Sequence, residues 1–243
     1  MKHDIISMHQ GVARNPLVRL AKPIDFSLLQ GEHLAVVGPN GAGKSLLIDT
    51  LLGKYPLKEG SVSYDFSPSD TQTVYDNVKY ITFRDSYGAA DANYYYQQRW
   101  NAHDQEDAPT VGDLLGDTDN VALKEELFAL FNMESLLDKK IILLSSGELR
   151  KFQLTKTLLT SPRVLLMDNP FIGLDASARE LLHDLLKRVT RLSDLQIVLV
   201  LSMLDDVPDF ITHVLPVFHG NVGEKQTRTD YLNGLSLHLS EDD

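Results

Sequence analysis

The stretch Gly38-Pro39-Asn40-Gly41-Ala42-Gly43-Lys44-Ser45 constrains this chain more than any other. It fits G-x-x-x-x-G-K-[S/T] at every fixed position. An apolar run, Leu34–Val37, precedes it, and a helical pattern from about Lys44 to Leu52 follows, with Gly53 as the stop signal. A strand, a glycine-rich turn and a helix in this order make a cradle for phosphate. Glycines let backbone N–H groups turn inward without a Cβ in the way, and the helix directs its positive end at the anion. The pattern assigns Gly38, Asn40, Gly41, Ala42, Gly43, Lys44 and Ser45 to nucleotide binding. Lys44 reaches the β- and γ-phosphates, and the Ser45 hydroxyl ligates Mg²⁺.

The rest of the chain reads as an α/β protein. Candidate strands are Asp4–Met8, Ile24–Leu29, Ser61–Tyr64 and Val78–Phe83, and candidate helices are Val121–Phe131 and Gly147–Leu159. Val164–Met167 and Ile197–Leu201 are continuous apolar runs, as expected of strands covered on both faces. Arg179–Thr190 lies between them with one apolar stripe, and Ser177-Ala178-Arg179-Glu180 has the form of a capping box. Strand, helix, strand predicts parallel pairing. His213–Phe218, with a turn at His219-Gly220-Asn221, predicts a closing hairpin.

Composition narrows the function classes. The chain has 243 residues, 43% hydrophobic and 23% charged, within the globular range. Its net charge of −11 argues against nucleic acid as a direct partner, because phosphate neutralisation needs clustered Lys and Arg. No cysteine is present, which excludes disulfides and thiolate chemistry. No apolar run approaches the ~20 residues needed to span a bilayer. The N-terminus lacks the pattern of a secretory signal, so the expected location is cytoplasmic.

Two later segments add to the phosphate loop. Leu144-Ser145-Ser146-Gly147-Glu148 precedes a helix, and Val164-Leu165-Leu166-Met167-Asp168 is an apolar strand ending in an acid, followed by Asn169-Pro170-Phe171 and Gly173-Leu174-Asp175. Each has a local structural reading: Ser145-Ser146 as a helix N-cap, Asp175 as the cap of the next helix. In this order and spacing they resemble the ABC ATPases along almost the whole chain. The resemblance implies a single P-loop NTPase domain of the ABC type over 1–243. It has a mixed core sheet flanked by helices, an N-terminal antiparallel part, and a helical signature part at roughly 84–160. It further implies ATP and Mg²⁺ as ligands, with Ser45 and Asp168 on the metal. It also implies pairing as a homodimer or with another ABC domain, in which Ser145 and Gly147 contact the partner's γ-phosphate. A membrane permease then becomes a candidate partner, and the inner face of the cell membrane a candidate location. The segments Leu144–Lys151 and Asp168–Asp175 are similar to tandem-domain cytoplasmic ABC proteins associated with molybdate uptake.

The chain departs from the family pattern at its catalytic centre. Asn169 stands where the family has a glutamate that polarises the attacking water. An amide orients water but cannot take its proton, and general-base catalysis is worth about 10²–10⁴-fold. Ser202 stands where the family has its switch histidine, and Ser146 replaces the first signature glycine. Lys44, Asp168, Asn169 and Ser202 are therefore the expected catalytic set, with slow hydrolysis. Slow turnover suits an ATP-dependent regulatory switch, or the degenerate half of a mixed dimer, as well as a transporter subunit. No aromatic residue stands where the family stacks adenine; Arg14 is the nearby candidate. The family's Gln loop falls near Arg84-Asp85 or Gln97-Gln98. The cluster Tyr94–Trp100 reads equally as a protein-binding loop or as local packing.

Overall fold

The computed structural model describes residues 2–83, 108–191, 194–202 and 206–241. The described chain forms two compact units. One comprises Met1–Ile81, Arg163–Pro170 and Ser193–Asp243; the other comprises Thr82–Pro162 and Phe171–Leu192.

The first unit carries two sheets. In the antiparallel one, β1 (Asp4–Ala13) is central between β2 (Ile24–Leu29) and β4 (Leu57–Tyr64). β1 runs five residues past the predicted end at Met8 by way of a bulge. Its registers with β2 and β4 slip around Gln10, which sits at φ 48°. A bulge breaks the two-residue alternation on which the strand was read, so the boundary was set too early. Gly60 on β4 is required opposite it, because a Cβ there would come within 2.2 Å of the Gln10 carbonyl oxygen.

The second sheet has the order β10-β8-β3-β7-β6-β5. Here β3 is Leu34–Val37, β5 Val78–Thr82, β6 Val164–Asp168, β7 Gln196–Leu201, β8 His213–Phe218 and β10 Gln226–Thr227. β6 pairs parallel with β7, as the strand-helix-strand order predicted, and β3 pairs parallel with both β7 and β8. β3, β6 and β7 are buried at every position, and Leu34, Val36, Leu166, Val198 and Val200 join Leu47 and Ile48 of helix α1 (Lys44–Leu51) in one core. β9 (Asn221–Val222) completes the hairpin with β8. Two helices of this unit escape the sequence reading, as does α3 of the second unit (Val111–Leu115). α2 (Val74–Asn77) is a single turn capped by Thr73. α7 (Arg228–Glu241) follows Thr227, whose hydroxyl pairs with the Asp230 carboxylate and backbone N–H. That Thr-x-x-Asp pattern is a legible start signal.

The second unit is helical. α3 (Val111–Leu115), α4 (Val121–Phe131), α5 (Ser146–Leu158) and α6 (Ala176–Val189) bury Val111, Phe128, Phe131, Phe152, Leu182 and Leu186. α6 begins three residues before the predicted start, and of the two caps the sequence offers, Asp175 and Ser177, it uses Asp175: the Asp175 carboxylate accepts the Ala178 N–H at 2.8 Å. An ionised carboxylate at the positive helix end outcompetes a neutral hydroxyl two residues further in. Arg84-Asp85, Gln97-Gln98 and the cluster Tyr94–Trp100 lie outside the described residues. No helix among the described residues is long and apolar enough to cross a membrane.

Candidate functional site

The parallel register decides what meets what in the first unit. β7 is flanked by β3 and β6, with Val37 opposite Leu201 and Asp168 opposite Val200. The C-terminal ends of three neighbouring strands therefore carry Gly38, Ser202 and Asp168-Asn169 side by side. Two backbone bonds fix the exits: Gly38 N–H donates to the Leu201 carbonyl at 3.4 Å, and Asn169 N–H to the Val200 carbonyl at 3.0 Å. With parallel strands ~4.8 Å apart, the phosphate loop and Asp168 leave the sheet about 10 Å apart, with Ser202 between them. A crevice at the carboxyl ends of parallel strands is where open α/β sheets bind ligands.

The phosphate loop has the backbone its glycines anticipate. Gly41 and Gly43 take φ 79° and 108°, in the left-handed region open to glycine. Gly38 is buried, and a Cβ there would lie 2.1 Å from the Val217 carbonyl oxygen of β8. The hairpin turn braces the loop: Gly220 N–H donates to the Ala42 carbonyl at 2.8 Å, while the Gly220 carbonyl accepts from Ala21 N–H at 2.7 Å. Helices α2 to α6 each open with a side-chain cap, whereas α1 opens at Gly43 with none. An uncapped helix N-terminus under a glycine-rich loop suits a bound anion.

Lys44 is 8% exposed, and its ammonium donates to the carbonyls of Gly38 and Pro39, the latter at 3.0 Å. Asn40, Gly41 and Ser45 are exposed, and Ala42 is buried. Asp168 is 8% exposed at the end of a strand that is otherwise apolar, and its Oδ2 accepts the Tyr80 hydroxyl at 3.1 Å. Asn169 and Ser202 are half-buried. Asn169 sits at φ 51°, a region that Asn tolerates better than most residues. The donors suit Mg²⁺: one hydroxyl and one carboxylate, both hard oxygens. No group of three or more His, Asp or Glu residues forms a metal cluster among the described residues. Mg²⁺ takes few protein ligands and completes its shell with water and phosphate oxygens.

Beside the phosphate loop lies a cavity of about 170 Å³, lined by Gly11, Ala13, Arg19, Leu20, Lys22 and Thr50 among others. Leu20 links the two features, since its Cδ2 would lie 2.7 Å from a Cβ on Gly43. Arg14 is exposed and does not line the cavity; the arginine there is Arg19. Arg19 is held in place by the Ala13 and Arg14 carbonyls, at 2.6 and 2.7 Å.

Ser145 and Gly147 belong to the second unit and form an arrangement of their own. Ser145 is the N-cap of α5 in a reciprocal capping box: its Oγ accepts Glu148 N–H at 3.2 Å, and its N–H donates to Glu148 Oε2 at 2.9 Å. The hydroxyl also interacts with the Glu148 carboxylate, so Ser145 and Glu148 bind each other through both side chains. Lys139 holds the other Glu148 oxygen at 2.7 Å, and this bond, followed by that of the Ser145 N–H, keeps the Glu148 carboxyl below the usual carboxylate range. Arg150, which the sequence reading passed over, stacks 5.0 Å from the Phe83 ring centre and donates to the Ile172 carbonyl; burial lowers its pKa to about 10.

The ABC transporter family model matches residues 21–172, more than half of the chain. The chain belongs to the ABC transporter family. An uncharacterized ABC transporter ATP-binding protein of Schizosaccharomyces pombe is 29% identical over 227 residues, covering 90% of this chain and 46% of that protein. The Escherichia coli ABC transporter ATP-binding protein ModF is 28% identical over 211 residues, covering 83% and 40%. The ABC domain therefore spans less than half the length of these two curated relatives. Among solved structures, cbiO1 of Clostridium perfringens, part of the ABC transporter complex cbiONQ, matches with a TM-score of 0.71 at 19% identity, over 98% of this chain and 96% of that one. That likeness shows the fold: the ABC domain has the mixed α/β architecture that the motifs predicted.

Proposed function

We propose that this ABC domain binds MgATP at the sheet edge formed by β3, β7 and β6, and hydrolyses it slowly to drive or switch a partner. The observation that carries the reading is the strand register, which sets the phosphate loop, Ser202 and Asp168-Asn169 at adjacent strand ends. In this reading the N–H groups from Gly41 to Ser45 wrap the phosphates and the Lys44 ammonium balances their charge. Ser45 and Asp168 hold Mg²⁺, which when bound neutralises phosphate charge. Asn169 orients a water without accepting its proton, and Ser202 offers a neutral hydroxyl where a histidine would offer a charge. Ser145 and Gly147, at the N-terminus of α5, serve a second ABC domain's nucleotide. ATP-driven closure with that second domain is the mechanical step, and a membrane permease is the simplest recipient of it.

A second reading, one half of a mixed ABC pair, is favoured by Asn169 and Ser202, since a second ABC domain would then supply its own glutamate and histidine at one of the two sites. Light scattering with and without MgATP tests both. A chain that dimerises on MgATP supports self-pairing. A chain that binds nucleotide yet stays monomeric until a second ABC domain is added supports the mixed pair. A chain that binds no ATP overturns both. Turnover of several ATP per second by the isolated chain would refute the slow-hydrolysis part.

A further inference from the structure

We propose that Tyr80 is a positioning residue for the Asp168 carboxylate, and that through it Tyr80 sets the domain's affinity for the divalent cation that accompanies the nucleotide. This rests on the reading of Asp168 as a metal-holding residue. Asp168 and Tyr80 are 88 positions apart and stand on neighbouring strands, β6 and β5, at the edge of the parallel sheet. The remainder of β6, Val164 to Met167, is apolar and at most 3% exposed, so Asp168 is the only polar side chain of that strand. The residue is 8% exposed, and the Tyr80 hydroxyl donates to its Oδ2 at 3.1 Å.

The chemistry of the donor matters as much as the distance. A carboxylate rotates about its last torsion, and that rotation decides which lone pairs face a cation or its water. A bond from a rigid phenol to one oxygen fixes the rotation. A lysine or arginine in the same place would cancel the charge that the cation needs, whereas a neutral phenol orients the carboxylate and leaves its charge intact. Partners of this kind, behind the ligands themselves, typically change metal affinity about 10–100-fold when removed.

The test is nucleotide binding to the whole chain, followed by calorimetry with ATP, first in excess EDTA and then along a Mg²⁺ series. Wild type, Tyr80→Phe and Asp168→Asn are compared, and thermal unfolding confirms that each is folded. Tyr80→Phe removes one oxygen and keeps the ring. It is expected to leave ATP affinity in EDTA unchanged and to raise the Mg²⁺ concentration for half-maximal enhancement about tenfold. Asp168→Asn is expected to abolish most of the enhancement. If Tyr80→Phe follows the wild-type Mg²⁺ curve while Asp168→Asn does not, the positioning role is wrong and the metal reading stands. Equal weakening of Tyr80→Phe with and without Mg²⁺ also overturns the proposal, since that is what a merely structural bond would do. If Asp168→Asn keeps the full Mg²⁺ response, the metal reading itself fails, and the role of Tyr80 with it.

Discussion

Replacing Asn169 with glutamate sets two effects of opposite sign against each other. Asn169 occupies φ 51°, between Asp168 at the end of β6 and Pro170. Left-handed backbone costs an ordinary residue roughly 1–2 kcal/mol, and Asn less because its short side chain bonds locally. The Asn169→Glu change is therefore expected to destabilise the fold by about 1 kcal/mol, which for a chain of this size lowers Tm by roughly 2–4 °C. Against this, a carboxylate that accepts the water proton gains about 10² in rate at the low end, equivalent to about 2.7 kcal/mol of barrier. Differential scanning calorimetry without nucleotide reads the first effect. Single-turnover ATP hydrolysis with protein in excess reads the second. Asn169→Gly separates them: it relieves the backbone, so Tm stays level or rises, and it supplies no base, so the rate does not rise. A Gly variant that melts several degrees below wild type would refute the backbone argument. A Glu variant with no rate gain, alone and with Ser202→His, would show that the catalytic residues have been wrongly assigned.

Gly38→Ala places a Cβ against a backbone carbonyl at 2.1 Å, so it should cost about 1–3 kcal/mol and weaken ATP binding; wild-type calorimetric values would count against the brace from β8. Gly147 has open space around its Cβ position and lies inside α5, so Gly147→Ala should keep or raise Tm by helix propensity. The same change should reduce ATP-dependent association in light scattering, and undiminished association would remove Gly147 from the nucleotide contact. The Glu148 carboxyl titrates below its ordinary 4.5 in the folded chain, so its contribution is present above pH 4.5 and lost as pH falls through the lower folded value. Acid unfolding curves of wild type and Glu148→Gln should therefore converge below that range, and parallel curves would contradict the ion pair with Lys139. With no aromatic among the residues that line the cavity beside the phosphate loop, ATP and GTP are expected to bind within a few-fold of each other; a hundredfold preference in competition titrations would refute this and require a specific base contact.

Several features were legible in the sequence because their causes are local. A glycine-rich turn between an apolar run and a helix admits few folds, and the phosphate loop appears with Gly41 and Gly43 at the left-handed angles that glycine permits. The buried runs Val164–Met167 and Ile197–Leu201 became adjacent parallel strands, since a strand with no polar face needs cover on both sides. Ser145 caps its helix because its neighbour three residues on, Glu148, completes a reciprocal pair. Other features depended on groups far apart in the chain. The bulge at Gln10, formed against β2 and β4, hid the true end of β1. Only the tertiary structure could bring Tyr80 to Asp168, or press Gly220 onto Ala42, because strand order in a sheet is set by packing and not by position in the chain. The sequence determined by itself that the chain would build an anion-binding loop on an α/β core. The sheet decided which side chains stand at its edge beside that loop, since neighbours there are fixed by register between strands as far as 179 residues apart, Leu34 lying against His213.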